Sequence, residues 1–297
     1  MVPRSLLPPL TILVAALAGI GAVLANGGGL YGSMMQNAAS PEHVLRIDLA
    51  DGGLVTLPSL SGASGGVARP LVVIDPGHGG FDPGAVAPGS LEKDVVLSLA
   101  KALKTELVNR GIARVALTRS DDRYISLAER IEIARRLNAD LFISIHADSA
   151  REGITAEGAS IYTLSNAASS RAAAAFAARE NEAAQINGIA LNTGNDEVNA
   201  ILVELSRRRT QEEAARFARL LLAEGDGRLA FRDEPLRSAA LLVLRAPDIP
   251  SILFEVGFLS DSEDAQSMTS TEGREAFATA AANAVARFFG GRSDIAR

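Results

Sequence analysis

The stretch LVVIDPGHGG, residues 71–80, has the pattern of a buried strand that ends in a tight, glycine-rich turn carrying His78. Its uninterrupted aliphatic run is typical of a strand buried on both faces. The glycines permit positive φ and a close approach of the backbone to a ligand. The pattern recurs in LFISIHADS, residues 141–149, with His146, and in SILFEVGFLS, residues 251–260, with Glu255. Each stretch therefore places a candidate metal ligand or acid/base group where an apolar strand ends.

From residue 67 onward, strand and helix patterns alternate. Apolar residues recur at helical spacing over about 95–107, 126–137 and 271–289. Predicted strands cover Leu71–Asp75, Ala113–Thr118, Leu141–His146, Ala159–Leu164, Leu241–Arg245 and Ser251–Val256. This order predicts an α/β fold, a mostly parallel, doubly wound sheet of about six strands with helices on both faces. Ligands of such sheets bind beyond the carboxyl ends of the strands, where His78, His146 and Glu255 are expected.

The composition narrows the chemistry that such a domain could perform. The chain has 297 residues, three histidines and no cysteine, with a net charge of −6. Without cysteine, thiolate zinc ligands, disulfides and cysteine nucleophiles are excluded, and a metal would be left to His, Asp and Glu. The net negative charge gives no indication of a basic surface that could bind a phosphate backbone, so nucleic acid is not expected as a partner.

The N-terminal residues 1–25 predict a secretory signal peptide. Arg4 precedes an apolar run over residues 10–24, and Ala25 supplies the small residue of a cleavage site. The alternative is an uncleaved membrane anchor, because extending the run back to Leu6 gives roughly the 20 residues of a span. Cleavage would leave no stable membrane span. We expect the rest of the chain to divide into a linker or partly disordered segment at 26–66, a catalytic domain at 67–291 and a tail at 292–297.

Glu92 in SLEKDVV, residues 90–96, completes a candidate metal site. His78, Glu92 and His146 would give three protein ligands and an open position for water, the usual arrangement of catalytic zinc. Glu255 ends an apolar strand, where a carboxyl group without a cation should have a raised pKa and suit a general base. The combination predicts metal-assisted amide hydrolysis.

Each of these residues also has a structural interpretation when taken alone. His78 could lie in a phosphate-cradling or simply packed turn. Glu92 could be favoured by the dipole of the helix that it opens. Glu255 could form a buried salt bridge, for which the candidate partners are Arg119 and Arg245.

Residues 165–230 interrupt the alternation with more helix than one crossover needs. They comprise SNAASSRAAAAFAARENEAAQ, a turn with Gly and Asn, and the helical runs DEVNAILVELSRRR and QEEAARFARLLLAE. Such an excess of helix needs either a regulatory reason or a structural one, and a solvated amphipathic helix pair is the simplest alternative to regulation.

At these residues the sequence resembles the zinc-dependent N-acetylmuramoyl-L-alanine amidases of the type-3 amidase family, over about residues 69–290. The motifs that carry the resemblance are VVIDPGHGGFDPGAV, LEKDVVLSLAKALKTEL, TRSDDRYISLAERIEIARRLNADLFISIHADS and APDIPSILFEVGFLSD. The resemblance implies one zinc ion held by His78, Glu92 and His146, with Glu255 as the catalytic glutamate. It also implies a periplasmic enzyme that cleaves the amide between muramic acid and the stem peptide of peptidoglycan.

The helical insertion resembles the regulatory segment of the cell-division amidases, in which a helix occludes the zinc until a LytM-type activator displaces it. A carboxylate of ARENEAAQ would then occupy the open zinc position, Glu180 in the first place and Glu182 as the alternative. Two other functions stay open at this point. One is a non-catalytic wall-binding or regulatory protein, and the other is a zinc peptidase that cleaves a different peptidoglycan amide.

Overall fold

The computed structural model describes residues 57–62, 69–150, 156–185 and 197–293. The predicted signal peptide at 1–25 and most of the predicted linker lie outside these ranges, as do residues 294–297. Within the described ranges, no helix combines the length and apolar character that a bilayer span requires.

One sheet and six α-helices form the described part of the chain. The sheet strands are β1 (Leu71–Pro76), β4 (Arg114–Leu117), β5 (Leu141–Asp148), β6 (Ala159–Leu164), β7 (Phe231–Ala239) and β8 (Ser251–Phe258). A separate small hairpin pairs β2 (Val86–Ala87) with β3 (Ser90–Leu91). The helices are α1 (Glu92–Asn109), α2 (Leu127–Arg136), α3 (Arg171–Gln185), α4 (Glu197–Gly225), α5 (Ser262–Thr269) and α6 (Thr271–Ser293).

The six strands follow the order β4-β1-β5-β8-β6-β7 across the sheet. The pairs β1/β4, β1/β5, β5/β8 and β6/β7 are parallel, and only β6/β8 is antiparallel among them. The prediction of a mostly parallel sheet of about six strands is confirmed. Parallel pairing explains the continuous aliphatic runs, because each crossover returns over a face of the sheet and buries it.

Alternate residues of the central strands enter two different cores. In β1, Val72 and Ile74 pack with side chains of α1, α4 and α6, whereas Val73 packs on the opposite face with side chains of α2 and α3. Successive side chains of a strand point to opposite faces, so both sides of the sheet are apolar and both are covered. This arrangement confirms the prediction of helices on both faces.

The predicted strand Leu241–Arg245 is wrong. Leu242–Leu244 form a short 3-10 helix, and the sixth strand is β7 instead. A run of four apolar residues does not by its periodicity distinguish a strand from a buried turn of helix. The real strand, FRDEPLRSA, is polar and contains Pro235, which suits the sheet edge that it occupies because an edge strand leaves backbone donors unused. Helix α5 was also not predicted.

The segment 165–230 divides between the two faces of the sheet. Ala173, Phe176 and Ala177 of α3 are buried in the core on the α2 side, whereas the second half of α4 places Phe217 and Leu221 in the core on the α1 side. Helix α3 is therefore not a solvated helix. The later half of α4 completes the main core, whereas α3 is the described helix of this segment that brings Glu180 to the candidate site.

A buried ion pair holds the carboxyl end of β1 to α2. Asp75 and Arg130 are 0% and 2% exposed, and the Arg130 Nη1 atom lies 2.6 Å from Asp75 Oδ1. Thr118 and Ser144 donate further hydrogen bonds to the same carboxylate, from the ends of β4 and the middle of β5. Arg130 also donates to the carbonyls of Pro76 and His78. One carboxylate thus ties three neighbouring strands to the turn that carries His78.

Replacing Asp75 with Asn should lower the free energy of unfolding by about 3 kcal/mol, because Arg130 then keeps its burial and loses its counter-charge. The matched control is Asp94→Asn on the exposed side of α1, for which we expect less than about 0.5 kcal/mol. Urea unfolding of both variants at pH 7 measures the difference. Equal losses in the two variants would contradict the role given to the buried pair.

The same pair predicts loss of stability in acid. Burial raises the pKa of Asp75, but the charge of Arg130 and the three hydrogen-bond donors outweigh it, so the pKa is lowered from its ordinary value. A carboxyl group with a lowered folded pKa stabilises the fold above its unfolded pKa of about 3.9, and this contribution disappears as the pH falls through the folded value. The free energy of unfolding should therefore fall less steeply with decreasing pH in the Asp75→Asn variant than in the native chain.

Candidate metal centre

The turn after β1 presents His78 through backbone contacts with two buried arginines. Arg119 donates to the carbonyls of Pro76 and Gly77, and Arg130 donates to the carbonyl of His78 at 2.7 Å. His78 itself has a φ of 57°, in the left-handed region that non-glycine residues seldom adopt. Backbone strain of this kind persists only where the surroundings fix it, and it concentrates at functional sites.

Asp82 sets the orientation of the His78 ring. Its Oδ2 atom lies 2.9 Å from Nδ1 of His78 and can only accept there, so Nδ1 carries a hydrogen and Nε2 is the nitrogen that would offer a lone pair to a metal once it is deprotonated. Nε2 is buried and has no hydrogen-bond partner among the described residues, although Glu92 Oε1 lies 3.1 Å away. Burial lowers the pKa of His78, but the nearby carboxylates of Glu92, Asp82 and Glu180 raise it well above its ordinary value. The same negative charges attract a divalent cation.

Glu92, the first residue of α1, lies between the two histidines. Its Oε1 atom is 3.1 Å from both His78 Nε2 and His146 Nδ1 and accepts a hydrogen bond from the backbone of Ala147, while Oε2 accepts one from Ala85. Burial raises the pKa of Glu92, but the two imidazoles lower it well below its ordinary value. Gly84 makes this approach possible, because a Cβ there would lie 2.5 Å from Glu92 Oε2. Glu92 is therefore ionised and fixed in position.

Glu180 of α3 closes the group on the opposite side. Its Oε2 atom lies 3.4 Å from His146 Nδ1 and 3.8 Å from His78 Nε2, and these three ligand atoms lie within 4.8 Å of one another. Tetrahedral zinc with bonds of about 2.0–2.2 Å separates its ligand atoms by about 3.3–3.6 Å. The donor types are those that zinc accepts, and the group is compact enough that it could hold a metal ion. Glu182, the alternative, is exposed and is not part of this group.

Glu255 of β8 stands opposite His146 of β5 in the sheet register. It is 2% exposed, and its Oε2 atom has no hydrogen-bond partner in the described part of the chain. Burial, with Asp148, Glu92 and Glu180 nearby, raises its pKa well above its ordinary value, and Arg179 offsets this only in part. The buried salt bridge that the sequence left open is not formed within the described residues.

The comparisons with known proteins identify the family of the chain. A family model described as N-acetylmuramoyl-L-alanine amidase matches residues 72–287. The chain belongs to this amidase family. It is 37% identical over 227 residues to the amidase AmiA of Salmonella typhimurium, covering 75% of this chain and 77% of that protein. It is also 37% identical to AmiA of Escherichia coli K12 over 231 residues, covering 76% and 78%.

Solved structures match the same part of this amidase. The amidase AmiC2 of Nostoc punctiforme is 30% identical with a TM-score of 0.54, covering 76% of this chain and 99% of that one. The catalytic domain of CwlV from Bacillus (Paenibacillus) polymyxa has the same TM-score at 23% identity, covering 75% and 99%, and supports the fold alone. The enzyme class is that of a peptidoglycan amidase, as the resemblance implied.

Sequence reasoning missed two residues that hold α3 over the strand ends of this amidase. Arg179 Nη2 donates to Asp148 Oδ1 at 2.7 Å. The side chain of Asn181 donates to the carbonyl of Ala240 and accepts from the amide of Leu242, each at 2.8 Å. Both residues flank Glu180 in sequence, but their partners lie 31 to 61 residues away. No local pattern could have identified them.

The space that remains beside the imidazoles is small. A cavity of about 10 Å³ is lined by residues that include His78, Asp82, Tyr124, His146 and Glu180. This volume is about the minimum that can hold one water molecule. With α3 in this position, the cavity beside the two imidazoles has room for about one water molecule.

Replacing Asp82 with Asn should weaken zinc binding by about 10- to 100-fold, because a neutral amide no longer fixes the tautomer and orientation of the His78 ring. The matched control is Asp94→Asn, which removes an exposed carboxylate of the same charge. Competition titration against a chromophoric chelator measures both affinities. Unchanged zinc affinity in Asp82→Asn would show that His78 does not bind the metal through Nε2.

Proposed function

We propose that this amidase uses one zinc ion to hydrolyse the amide bond between N-acetylmuramic acid and the L-alanine of the peptidoglycan stem peptide. The observation that carries the proposal is the convergence of two imidazole nitrogens on one carboxylate oxygen, each 3.1 Å from it, at the carboxyl edge of a parallel sheet. Three such protein ligands are the usual number at catalytic zinc.

His78 Nε2, His146 Nδ1 and Glu92 Oε1 are the ligand atoms in this proposal. A bound zinc ion would lower the pKa of a water molecule and polarise the carbonyl of the substrate. Asp82 holds the His78 ring, and the amides of Ala85 and Ala147 hold Glu92, so that the ligands are oriented before the metal arrives. Such support reduces the reorganisation that binding requires.

Glu255 is the general base in this proposal. Its raised pKa suits a group that takes a proton from the attacking water and returns it to the leaving amine of L-alanine. A buried oxygen atom without a hydrogen-bond partner is costly, and it is expected where a site is built to receive a proton. The presence of all four residues argues against a non-catalytic wall-binding protein.

Replacing Glu255 with Gln should reduce amidase activity on purified peptidoglycan by about 10²- to 10⁴-fold and leave zinc bound. Chelation should abolish the activity of the native chain. The matched control is Glu263→Gln, an exposed residue of α5, which should keep full activity. Loss of zinc from Glu255→Gln would overturn the assignment. Mass spectrometry of the products separates intact stem peptides from the cut cross-links that a peptidase would release.

We further propose that α3 inhibits the enzyme in its closed position. Glu180 supplies a fourth ligand atom to the same group, and its burial raises its pKa against the lowering effect of the two imidazoles. A carboxylate tethered beside the metal competes at high effective concentration with any substrate carbonyl. Arg179 and Asn181 hold the helix there through the contacts with Asp148, Ala240 and Leu242.

An activator would then work by removing α3 from the strand ends. We propose a LytM-domain protein for this role and the periplasm as the site of action, after cleavage of the signal peptide at residues 1–25. The small cavity at the metal centre supports such displacement, since beside Glu180 it has room for about one water molecule. Displacement of α3 would leave the second half of α4 in place, because that half of α4 belongs to the core.

Replacing Glu180 with Gln should raise activity without activator by at least about tenfold, which corresponds to about 1.4 kcal/mol less stability of the closed state. A neutral amide is a weaker ligand for a divalent cation than a carboxylate. The control is Glu182→Gln, two residues away on the same helix and exposed. Initial rates on purified peptidoglycan measure the effect. Equal basal rates in the two variants would contradict inhibition through Glu180.

A further inference from the structure

Two stacked aromatic rings, an exposed Phe81 and a half-buried Tyr124, lie beside the candidate metal centre. The rings of Phe81 and Tyr124 lie 4.2 Å apart between centroids, with an interplanar angle of 28°. Phe81 is 66% exposed, the highest value among the large hydrophobic residues that are exposed in the described part of the chain. Tyr124 covers one face of the Phe81 ring, so the exposed area includes the opposite face.

Two neighbouring loops, the turn after β1 and the segment after β4, supply the two rings and are in close backbone contact. Gly79 and Asp82 pair through their backbones, which places Gly80 and Phe81 at the tip of a tight turn. Gly80 has a φ of 62°, and a Cβ there would lie 2.7 Å from the backbone nitrogen of Tyr124, so only glycine lets the loops approach this closely. Phe81 is thus brought over Tyr124 by the backbone itself.

Polar contacts also hold these two loops close together. The amide of Gly80 donates to Asp122 Oδ1 at 2.8 Å, and Lys93 Nζ donates both to the carbonyl of Gly80 and to Asp122 Oδ2. The aromatic pair is therefore held in place before any ligand arrives. Preorganisation of this kind reduces the entropy that binding would cost.

The position of the pair relates it to the metal centre. Asp82, at the base of the turn that carries Phe81, is the residue that orients His78. Tyr124 lines the same small cavity as His78, His146 and Glu180. The amide bond of the proposed substrate joins a sugar to a peptide, so one side of the centre has to accommodate the glycan strand.

We propose that the Phe81–Tyr124 pair is a glycan subsite, in which the uncovered face of Phe81 stacks against a pyranose ring of an N-acetylated hexosamine in the glycan strand. This inference rests on the proposed function. The faces of a pyranose carry C–H groups that are apolar and weakly positive, and they complement the negative face of an aromatic ring. The charged side chains of Asp121, Asp122 and Arg123 lie beside the pair and are exposed to water. They can form hydrogen bonds with the hydroxyl groups of a sugar.

A purely structural role explains the pair less well, because a ring that is 66% exposed contributes little apolar burial to stability. A protein partner would need about 800 Å² of contact surface, whereas the pair presents two rings within a charged surround. Binding of the stem peptide to the pair would be seen in the test below as a response to the peptide without the glycan.

The test uses the absence of tryptophan from this chain. Phe81→Trp keeps an aromatic ring on Tyr124 and introduces a single tryptophan, whose emission can be excited separately from that of the three tyrosines. We expect its emission to change saturably on addition of the β-1,4-linked tetramer of N-acetylglucosamine, and not on addition of the free stem peptide. The matched control is Val86→Trp, at an exposed residue on the hairpin that follows the same turn, whose emission should not respond.

A second variant tests the energetic contribution. Phe81→Ala should lower the affinity for the tetramer by about two- to tenfold and raise the KM for peptidoglycan with kcat unchanged. Its thermal stability should equal that of the native chain. A response of Phe81→Trp to the stem peptide alone, an equal response of Val86→Trp, or unchanged tetramer affinity in Phe81→Ala would each overturn the proposal. The tetramer contains no muramoyl amide, so these results do not depend on zinc or on Glu255.

Discussion

The structure depends on one electrostatic constraint, the burial of three carboxylates beside two imidazoles at the carboxyl edge of the sheet. Glu92 and Glu255 are almost fully buried and Glu180 nearly so. The two imidazoles lower the pKa of Glu92, whereas burial raises the pKa values of Glu180 and Glu255 because negative charge is unfavourable there. Burying charge without a partner is costly, and a divalent ion is the partner that this set of donors suits.

The sheet places these groups together through its topology and through one buried ion pair. β1, β5 and β8 are neighbours, so the turn after β1, the end of β5 and the end of β8 meet at one edge. Asp75 and Arg130 join β1 to α2 and to the carbonyl of His78. The interactions that stabilise the fold and those that position the candidate metal ligands are therefore partly the same.

Much of this could be predicted from the sequence because it depends on local patterns. Continuous aliphatic runs identify strands buried on both faces; His146 and Glu255 follow such runs directly, and His78 lies in the turn after one. The edge strand β7 could not be found this way, since an edge strand with an exposed side tolerates charge and Pro235. Arg179, Asn181 and the stacking of Phe81 on Tyr124 were missed because their partners are distant in sequence and meet only in the folded chain. The division of residues 165–230 between the two faces was missed for the same reason.

The central claim is that the buried group binds one divalent ion through His78, Glu92 and His146. The most direct test is metal analysis of the purified chain after equilibration with zinc and removal of the unbound ion, compared with the double variant His78→Ala and His146→Ala. One zinc ion per native chain and none in the double variant is the predicted result. Zinc retained equally by both proteins, or by neither, would contradict it.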